Sequence, residues 1–170
     1  MFRSERSNQT NQTVVAAVVL GLGFAGFFDG IVFHQILQWH HMLTATGDYP
    51  PTTVAGLETN TLADGLFHAS SYVLLGVGLV LLWRGVHAGA RLPTRAFVGW
   101  LLVGAGAFNL VEGIVNHLLL GIHHVREGPN ARAYDMAFLV VSLLLVAIGT
   151  LLARSAPVVK RGQTERATDR

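Results

Sequence analysis

The sequence predicts an all-α integral membrane protein with four transmembrane helices, arranged as a tandem duplication of a two-helix hairpin. Hydrophobic residues make up 51% of the 170 residues and charged residues only 13%, which is more apolar than an ordinary soluble domain. Four apolar stretches each approach the roughly 20 residues that a bilayer-spanning helix needs, at about 14–39, 61–83, 96–121 and 135–153. A motif of ionisable residues also occurs twice.

The order of segments follows from polarity and charge. The sequence predicts a cytoplasmic N-terminal segment at 1–13, a transmembrane domain at 14–154 and a disordered cytoplasmic tail at 155–170. Placing both termini and the second connection in the cytoplasm puts ten of the twelve Lys and Arg residues on that side, in agreement with the positive-inside rule. We therefore expect a multi-pass protein of the plasma membrane, whose partner is the lipid bilayer and not nucleic acid.

Local signals place the helix starts. Span two is predicted to begin at Asn60 or Thr61, and span four after Gly128-Pro129-Asn130. The chain has no cysteine, which excludes disulfides and metal sites built on thiolates.

The two halves of the domain, repeat one at about 14–84 and repeat two at about 96–154, share a motif. The segment from Asp29 to His41 recurs 83 residues later, with seven of 13 positions identical and Glu112 in place of Asp29. Asp64 and Asp135 also match, near the outer ends of spans two and four. Repeats with an even number of spans insert in one orientation, so a pseudo-two-fold axis along the membrane normal is predicted. Small residues are expected to let spans one and three approach closely, at Gly26, Gly30, Gly106 and Gly113. A compact four-helix bundle is therefore predicted.

Ionisable side chains cluster on the outer side of this predicted fold, where seven of the eight histidines lie. Such groups are costly in hydrocarbon and usually mark a functional site. In uninterrupted α-helices, at about 100° per residue, Asp29 would align with His40, and His34 with His41, on two lines about 140° apart. The same arrangement is expected in the second half.

Three histidines at one depth are predicted to bind a metal ion, namely His34, His68 and His117. The position in span four that matches His68 is Leu139, so one corner of this layer stays open. Three imidazoles with an open position suit Zn, Cu or Fe, and Asp29 and Glu112 are expected to be further ligands or to fix the histidine tautomers. A further set of residues is predicted to lie either at the outer rim of this metal site or behind its ligands. These residues are His40, His41, Asp64, Asn116, His123, His124 and Asp135.

These motifs resemble a bacterial and archaeal membrane-protein family that is catalogued only as a domain of unknown function with four predicted spans. The resemblance covers about 14–154 and rests on Gly-Phe-Phe-Asp29-Gly-Ile-x-x-His34, Gln-x-x-His40-His41, Asp64-Gly-Leu-Phe-His68, Asn-x-x-Glu112-Gly-x-x-x-His117 and His123-His124. It implies the four-span fold and no established activity.

The leading functional hypothesis is a membrane metalloprotein whose site opens to the extracytoplasmic face, with copper as the first choice and iron or zinc as alternatives. It would serve redox chemistry or metal handling, as a homo-oligomer or with a respiratory-chain or metal-handling partner. The alternatives are a di-iron oxygenase, a haem b electron carrier with His34 and His117 as axial ligands, a proton-coupled transporter or pH sensor, and a purely structural bundle.

Overall fold

The computed structural model describes residues 2–155, with side chains from Asn11 onward. This part of the chain is helical and contains no strand, with four α-helices at Phe2–Phe28 (α1), Val54–His87 (α2), Thr94–Glu112 (α3) and Ala131–Arg154 (α4). Two π-helical segments continue α1 and α3 without a break, the first π segment at Asp29–Ile36 and the second at Gly113–Leu120. A short 3-10 turn lies at Thr44–Thr46.

Four helices among residues 2–155 are long and apolar enough to cross a membrane, which confirms the predicted fold class. They are Asn11–Ile36, Val54–His87, Thr94–Leu120 and Ala131–Arg154. Helix α1 begins at Phe2 and therefore includes most of the segment predicted at 1–13. The tail predicted at 155–170 lies outside the described residues, apart from Ser155 at the end of α4.

The second span begins earlier than predicted. Thr53 caps α2, and its side-chain hydroxyl accepts a hydrogen bond from the Gly56 N–H at 3.1 Å, which is the usual role of a threonine at this position. Asn60, the predicted start, is instead a buried side chain inside α2. Its amide donates to the Tyr49 carbonyl at 2.8 Å and its oxygen accepts from the Leu43 N–H at 2.9 Å. Asn60 therefore holds the first connection against α2. The predicted start of span four after Asn130 is confirmed.

The helices pack in the order α2–α1–α3–α4, since extensive contacts join α1 to α2, α1 to α3, and α3 to α4. The first span is the most buried, and the second and fourth are the least buried. The arrangement is thus more open than the compact bundle that the sequence predicts. The outer helices expose large apolar side chains that suit contact with lipid, among them Leu62, Val73, Val77, Val140 and Leu144.

The close approach of α1 and α3 depends on Gly21 and Gly104. A Cβ atom at Gly21 would overlap the Leu101 carbonyl, and one at Gly104 would overlap the Val18 carbonyl. Small residues of this kind let two helix backbones meet in a membrane.

The glycines predicted for that role serve another contact. Gly30 lies against His68 of α2, and Gly113 lies against Leu139 of α4. Gly106 also faces α4, while Gly26 faces Ser71 of α2 and the ring of Phe108. The prediction was wrong because these glycines mainly relieve crowding within each hairpin.

Both π segments end in a chain reversal with left-handed backbone geometry. Gln38 has φ 49° and Gly121 has φ 59°. Both residues occupy the same position of the repeated motif, 83 residues apart. After these reversals the two connections fold back over the helix ends and contact one another, with the Ala45 N–H donating to the Ile122 carbonyl at 3.0 Å.

Candidate metal centre

The π segments bring each carboxylate next to a histidine. Residues five apart point in different directions on an α-helix, whereas the i→i+5 hydrogen bonding of a π-helix brings them together. Asp29 Oδ2 lies 3.0 Å from His34 Nε2. In the second half, Glu112 Oε1 lies 3.9 Å from His117 Nε2. The predicted alignment of Asp29 with His40 was wrong, because the helix does not continue beyond Ile36.

His40 and His123 lie at the centre of the cluster and not at its rim. The reversals at the ends of the π segments turn both rings inward, where they are 2% and 0% exposed. The two rings stack with centroids 4.7 Å apart and an angle of 3° between their planes. His40 lies 4.3 Å from His34, and His123 lies 4.9 Å from His117, measured between ring centroids. The order of rings is therefore His34, His40, His123, His117.

The central histidines are oriented by backbone carbonyls of the opposite half. His40 Nδ1 donates to the Val125 carbonyl at 2.9 Å, and His123 Nδ1 donates to the Met42 carbonyl at 3.1 Å. A carbonyl can only accept, so each Nδ1 carries a proton, and in the neutral ring Nε2 then presents a lone pair. We call these two contacts the crossed bonds. Val125 and Met42 occupy matching positions of the repeat, 83 residues apart.

Asp64 anchors four groups of the first half, one of which is the Gln35 side-chain amide at 3.5 Å. It is 1% exposed, and it accepts hydrogen bonds from His34 Nδ1 at 2.8 Å and from His41 Nδ1 at 2.7 Å. The Met42 N–H donates to it as well, at 2.9 Å. A carboxylate behind a histidine fixes the tautomer and leaves Nε2 free to bind a metal ion.

Asp135 makes the corresponding contacts in the second half. Its carboxylate lies 3.4 Å from His117 Nδ1 and accepts from His124 Nδ1 at 2.7 Å and from the Val125 N–H at 3.0 Å. Like Asp64 it was predicted to lie at the membrane interface, but it is 1% exposed. Matching contacts in the two halves are what a duplicated hairpin would produce.

Several buried atoms that face the interior of the cluster have no hydrogen-bond partner. His34 Nε2, whose ring already donates through Nδ1, faces Asp29 Oδ2, and both atoms are buried without a hydrogen-bond partner. Other buried atoms without a partner in the cluster are His40 Nε2, both ring nitrogens of His117, and Glu112 Oε2. Buried acceptors that face one another are unfavourable unless a cation or a proton lies between them.

Two groups of donor atoms are close enough to hold a metal ion. His34, His40 and His123 form one group, and Glu112, His117 and His123 form the other, with all ligand atoms of each group within 4.8 Å of one another. The neighbours of His40 also keep it neutral: burial, followed by repulsion from His123 and His34, lowers its pKa from 6.5 to about 3. A neutral imidazole is the form that binds metal ions.

The remaining predicted residues lie apart from these groups. His68 packs against Gly30 with its ring 6.0 Å from that of Phe27 and 6.1 Å from that of Phe67, and it belongs to neither group of donors. Asn116 contributes only its carbonyl, which accepts from the Ile122 N–H at 3.0 Å at the chain reversal. The carbonyls of Met42 and Val125 were missed, since side-chain identities do not reveal them. Their position directly after each His-His pair was the available signal.

These features define a four-span membrane protein with a buried cluster of imidazoles and carboxylates that could hold metal ions. The chain belongs to the family described as "Predicted membrane protein (DUF2243)", a family of unknown function whose model matches residues 16–156. The resemblance drawn from the motifs is thereby confirmed. No curated protein and no solved structure matches the chain.

Proposed function

We propose that this protein is an integral membrane metalloprotein whose buried cluster binds two transition-metal ions. One observation carries the proposal: the Nδ1 atoms of four histidines face acceptors outside the cluster, so that four Nε2 atoms face inward beside two carboxylates. Cations would stabilise four imidazole nitrogens and two carboxylates that surround one buried space in this way. Histidines held from behind in this way are typical of metal sites.

The order of the rings supports two ions and not one. His34 and His40 are neighbours at one end, with Asp29 beside His34, while His117 and His123 are neighbours at the other end. We assign Asp29, which lies 3.0 Å from His34 Nε2 but outside the two groups of donors, to the first ion. Glu112, which lies 3.3 Å from His123 Nε2, is assigned to the second. His123 Nε2 can bind only one ion directly, and the carboxylate places it with the second.

This assignment favours iron. Each ion would have two imidazoles and one carboxylate, the set that is typical of non-haem iron centres with open positions. Copper, the first choice from the sequence, and zinc also bind imidazole, and the metal analysis described below distinguishes all three. Open positions would suit redox chemistry with a substrate better than a purely structural metal.

Haem b between His34 and His117 is disfavoured on steric grounds. The ring of His40 lies 4.3 Å from His34 and that of His123 lies 4.9 Å from His117, so the space for a porphyrin between the predicted axial ligands is filled. We retain the proposed location in the plasma membrane, with both termini cytoplasmic. The connections at 37–53 and 121–130, which cover the centre, would then face the extracytoplasmic side.

The test is metal analysis of protein purified without chelators or a histidine tag. We expect two ions per chain, with iron in excess of copper and zinc, and release of both ions at acidic pH as the imidazoles become protonated. His34→Ala should leave at most one ion per chain. His68→Ala and His87→Ala should leave both, since His68 lies outside the donor groups and His87 is exposed near the opposite helix ends.

Several results would contradict this proposal. A full complement of metal in His34→Ala would exclude the assigned centre, and stoichiometric haem would favour the electron carrier. Metal-free protein that carries a pH-dependent proton flux in vesicles would favour the transporter.

A further inference from the structure

A cavity of about 630 Å³ lies between α1, α3 and α4 and reaches the metal-binding cluster at Asp29. It exists because α4 packs against α3 and makes no comparable contact with α1. Its volume is within the range of sites for small organic ligands, roughly 300–1,000 Å³. Aromatic side chains form much of its wall, at Phe24, Phe28, Phe33, Tyr134 and Phe138.

The cavity opens on the lateral surface of the bundle. Three residues of its wall are largely exposed, Phe24 at 52%, Phe28 at 60% and Val141 at 53%. All three lie inside the segments that cross the membrane. A ligand that reaches this opening comes from the bilayer, so it must be lipid-soluble.

The inner wall of the cavity carries polar groups. Asn109 and Asp29 both line it, and Asn109 Oδ1 is a buried acceptor with no partner. An unsatisfied amide oxygen at membrane depth is costly. A ligand with a hydroxyl donor would satisfy Asn109 Oδ1 and would bring its head next to Asp29. A pure hydrocarbon chain would leave this oxygen unpaired.

The aromatic wall favours a ring over a saturated chain as the head of the ligand. Phe33 already stacks on Trp39 with centroids 5.3 Å apart and planes at 17°, and aromatic rings favour such arrangements with one another. The aromatic residues that the first half contributes to this wall have no aromatic counterparts in the second half. The positions 83 residues beyond Phe24, Phe28 and Phe33 are Ala107, Val111 and Asn116.

We infer that this cavity binds a lipid-soluble molecule with a hydroxylated aromatic head, of the quinol class, whose hydroxyl donates to Asn109 Oδ1 and lies beside Asp29. The inference extends the proposed function, because it supplies the class of substrate for the metal centre. Its binding contacts nevertheless belong to the cavity wall, so the two can be tested separately.

The experiment measures binding of a benzoquinol with a ten-carbon tail to the full chain in lipid nanodiscs, by calorimetry, with metal content measured on the same samples. The dimethyl ether of the same compound, which keeps the ring and the tail but has no donor, is the comparison. Ala137→Trp places a large side chain in the cavity wall at an exposed alanine of α4. Ala69→Trp is the matched control at an exposed alanine of α2 outside that wall.

The quinol should bind about tenfold more tightly than its ether, because it alone makes the hydrogen bond. Asn109→Ala should remove this difference without loss of metal. Ala137→Trp should weaken quinol binding at least tenfold, and Ala69→Trp should leave it unchanged. Metal-free protein that still binds the quinol would contradict the proposed function and leave the cavity assignment intact.

Three outcomes would overturn the cavity assignment. Equal binding of the quinol and its ether to all variants would mean that the cavity accepts lipid tails and does not select for a hydroxyl group. No binding of the quinol by metal-loaded protein would exclude the ligand class. If Ala137→Trp changes the number of chains per nanodisc and not the affinity for the quinol, the opening is a contact between copies of this chain.

Discussion

At the scale of single residues, the two aspartates of α2 and α4 make the histidines into usable ligands. Asp64 and Asp135 each face two imidazoles and accept from one backbone N–H. The sequence predicted that these residues matter but placed them at the rim of the site or behind its ligands, near the outer ends of spans two and four. What it could not predict was how far the connections fold back to bury them.

Replacing these aspartates should therefore weaken metal binding without removing a ligand. Asp64→Asn loses the negative charge that holds the His34 and His41 protons, and we expect metal affinity to fall about 10- to 100-fold. Asp135→Asn should have a smaller effect, because its distance to His117 is longer, 3.4 Å against 2.8 Å for Asp64 and His34. Competition with a chelator measures both affinities.

The control for this series is Asp48→Asn, an exposed carboxylate in the first connection that makes no contact with the cluster. The metal affinity of the Asp48→Asn variant should equal that of the unchanged protein. If Asp64→Asn matched this control, the carboxylate would have only a structural role.

At the scale of elements, the π segments decide which side chains meet. Hydrophobic periodicity predicted where the spans lie, and the motif predicted which residues matter. An α-helical rotation of about 100° per residue failed from Asp29 onward, since the chain changes to i→i+5 bonding at that point and reverses at Gln38. Periodicity cannot reveal a change of helix type over eight residues whose apolar side chains face lipid on several sides.

The reversal at Gln38 carries a strain that the second half avoids. A left-handed backbone costs a residue with a side chain about 1–2 kcal/mol, and Gly121 occupies the matching position without that cost. Gln38→Gly should therefore raise the midpoint of thermal unfolding in detergent, by a stabilisation of about 1 kcal/mol. The converse change, Gly121→Gln, should lower the midpoint by a similar amount. A lower midpoint for Gln38→Gly would show that its side chain has contacts that outweigh the strain.

At the scale of the whole molecule, the number of spans and their positions along the chain follow from the four apolar stretches of the sequence. The packing order α2–α1–α3–α4 does not, because Gly21 and Gly104 are two of many glycines and only the fold shows which pair meets across α1 and α3. The duplicated motif indicated which ionisable residues to expect near one another. It could not indicate that His40 and His123 occupy the centre while His68 packs in the hairpin.

The orientation in the membrane can be tested directly, because the chain has no native cysteine. Single substitutions at exposed positions, Asp48→Cys in the first connection and Ala88→Cys in the second, give one thiol each. With positive residues inside, a membrane-impermeant maleimide should label Asp48→Cys in intact cells. It should label Ala88→Cys only after the membrane is permeabilised. The reverse pattern would place the covering connections of the metal centre in the cytoplasm.

The crossed bonds have a consequence for any exchange of sequence between relatives. Neither hairpin contains the backbone acceptor for its own central histidine, because His40 uses Val125 and His123 uses Met42. A chimera that takes one hairpin from a relative would combine two backbones that were never selected together, and its histidines would lose their alignment even if every side chain were retained. An exchange of sequence that preserves this centre must therefore take both hairpins, with both covering connections, from the same relative.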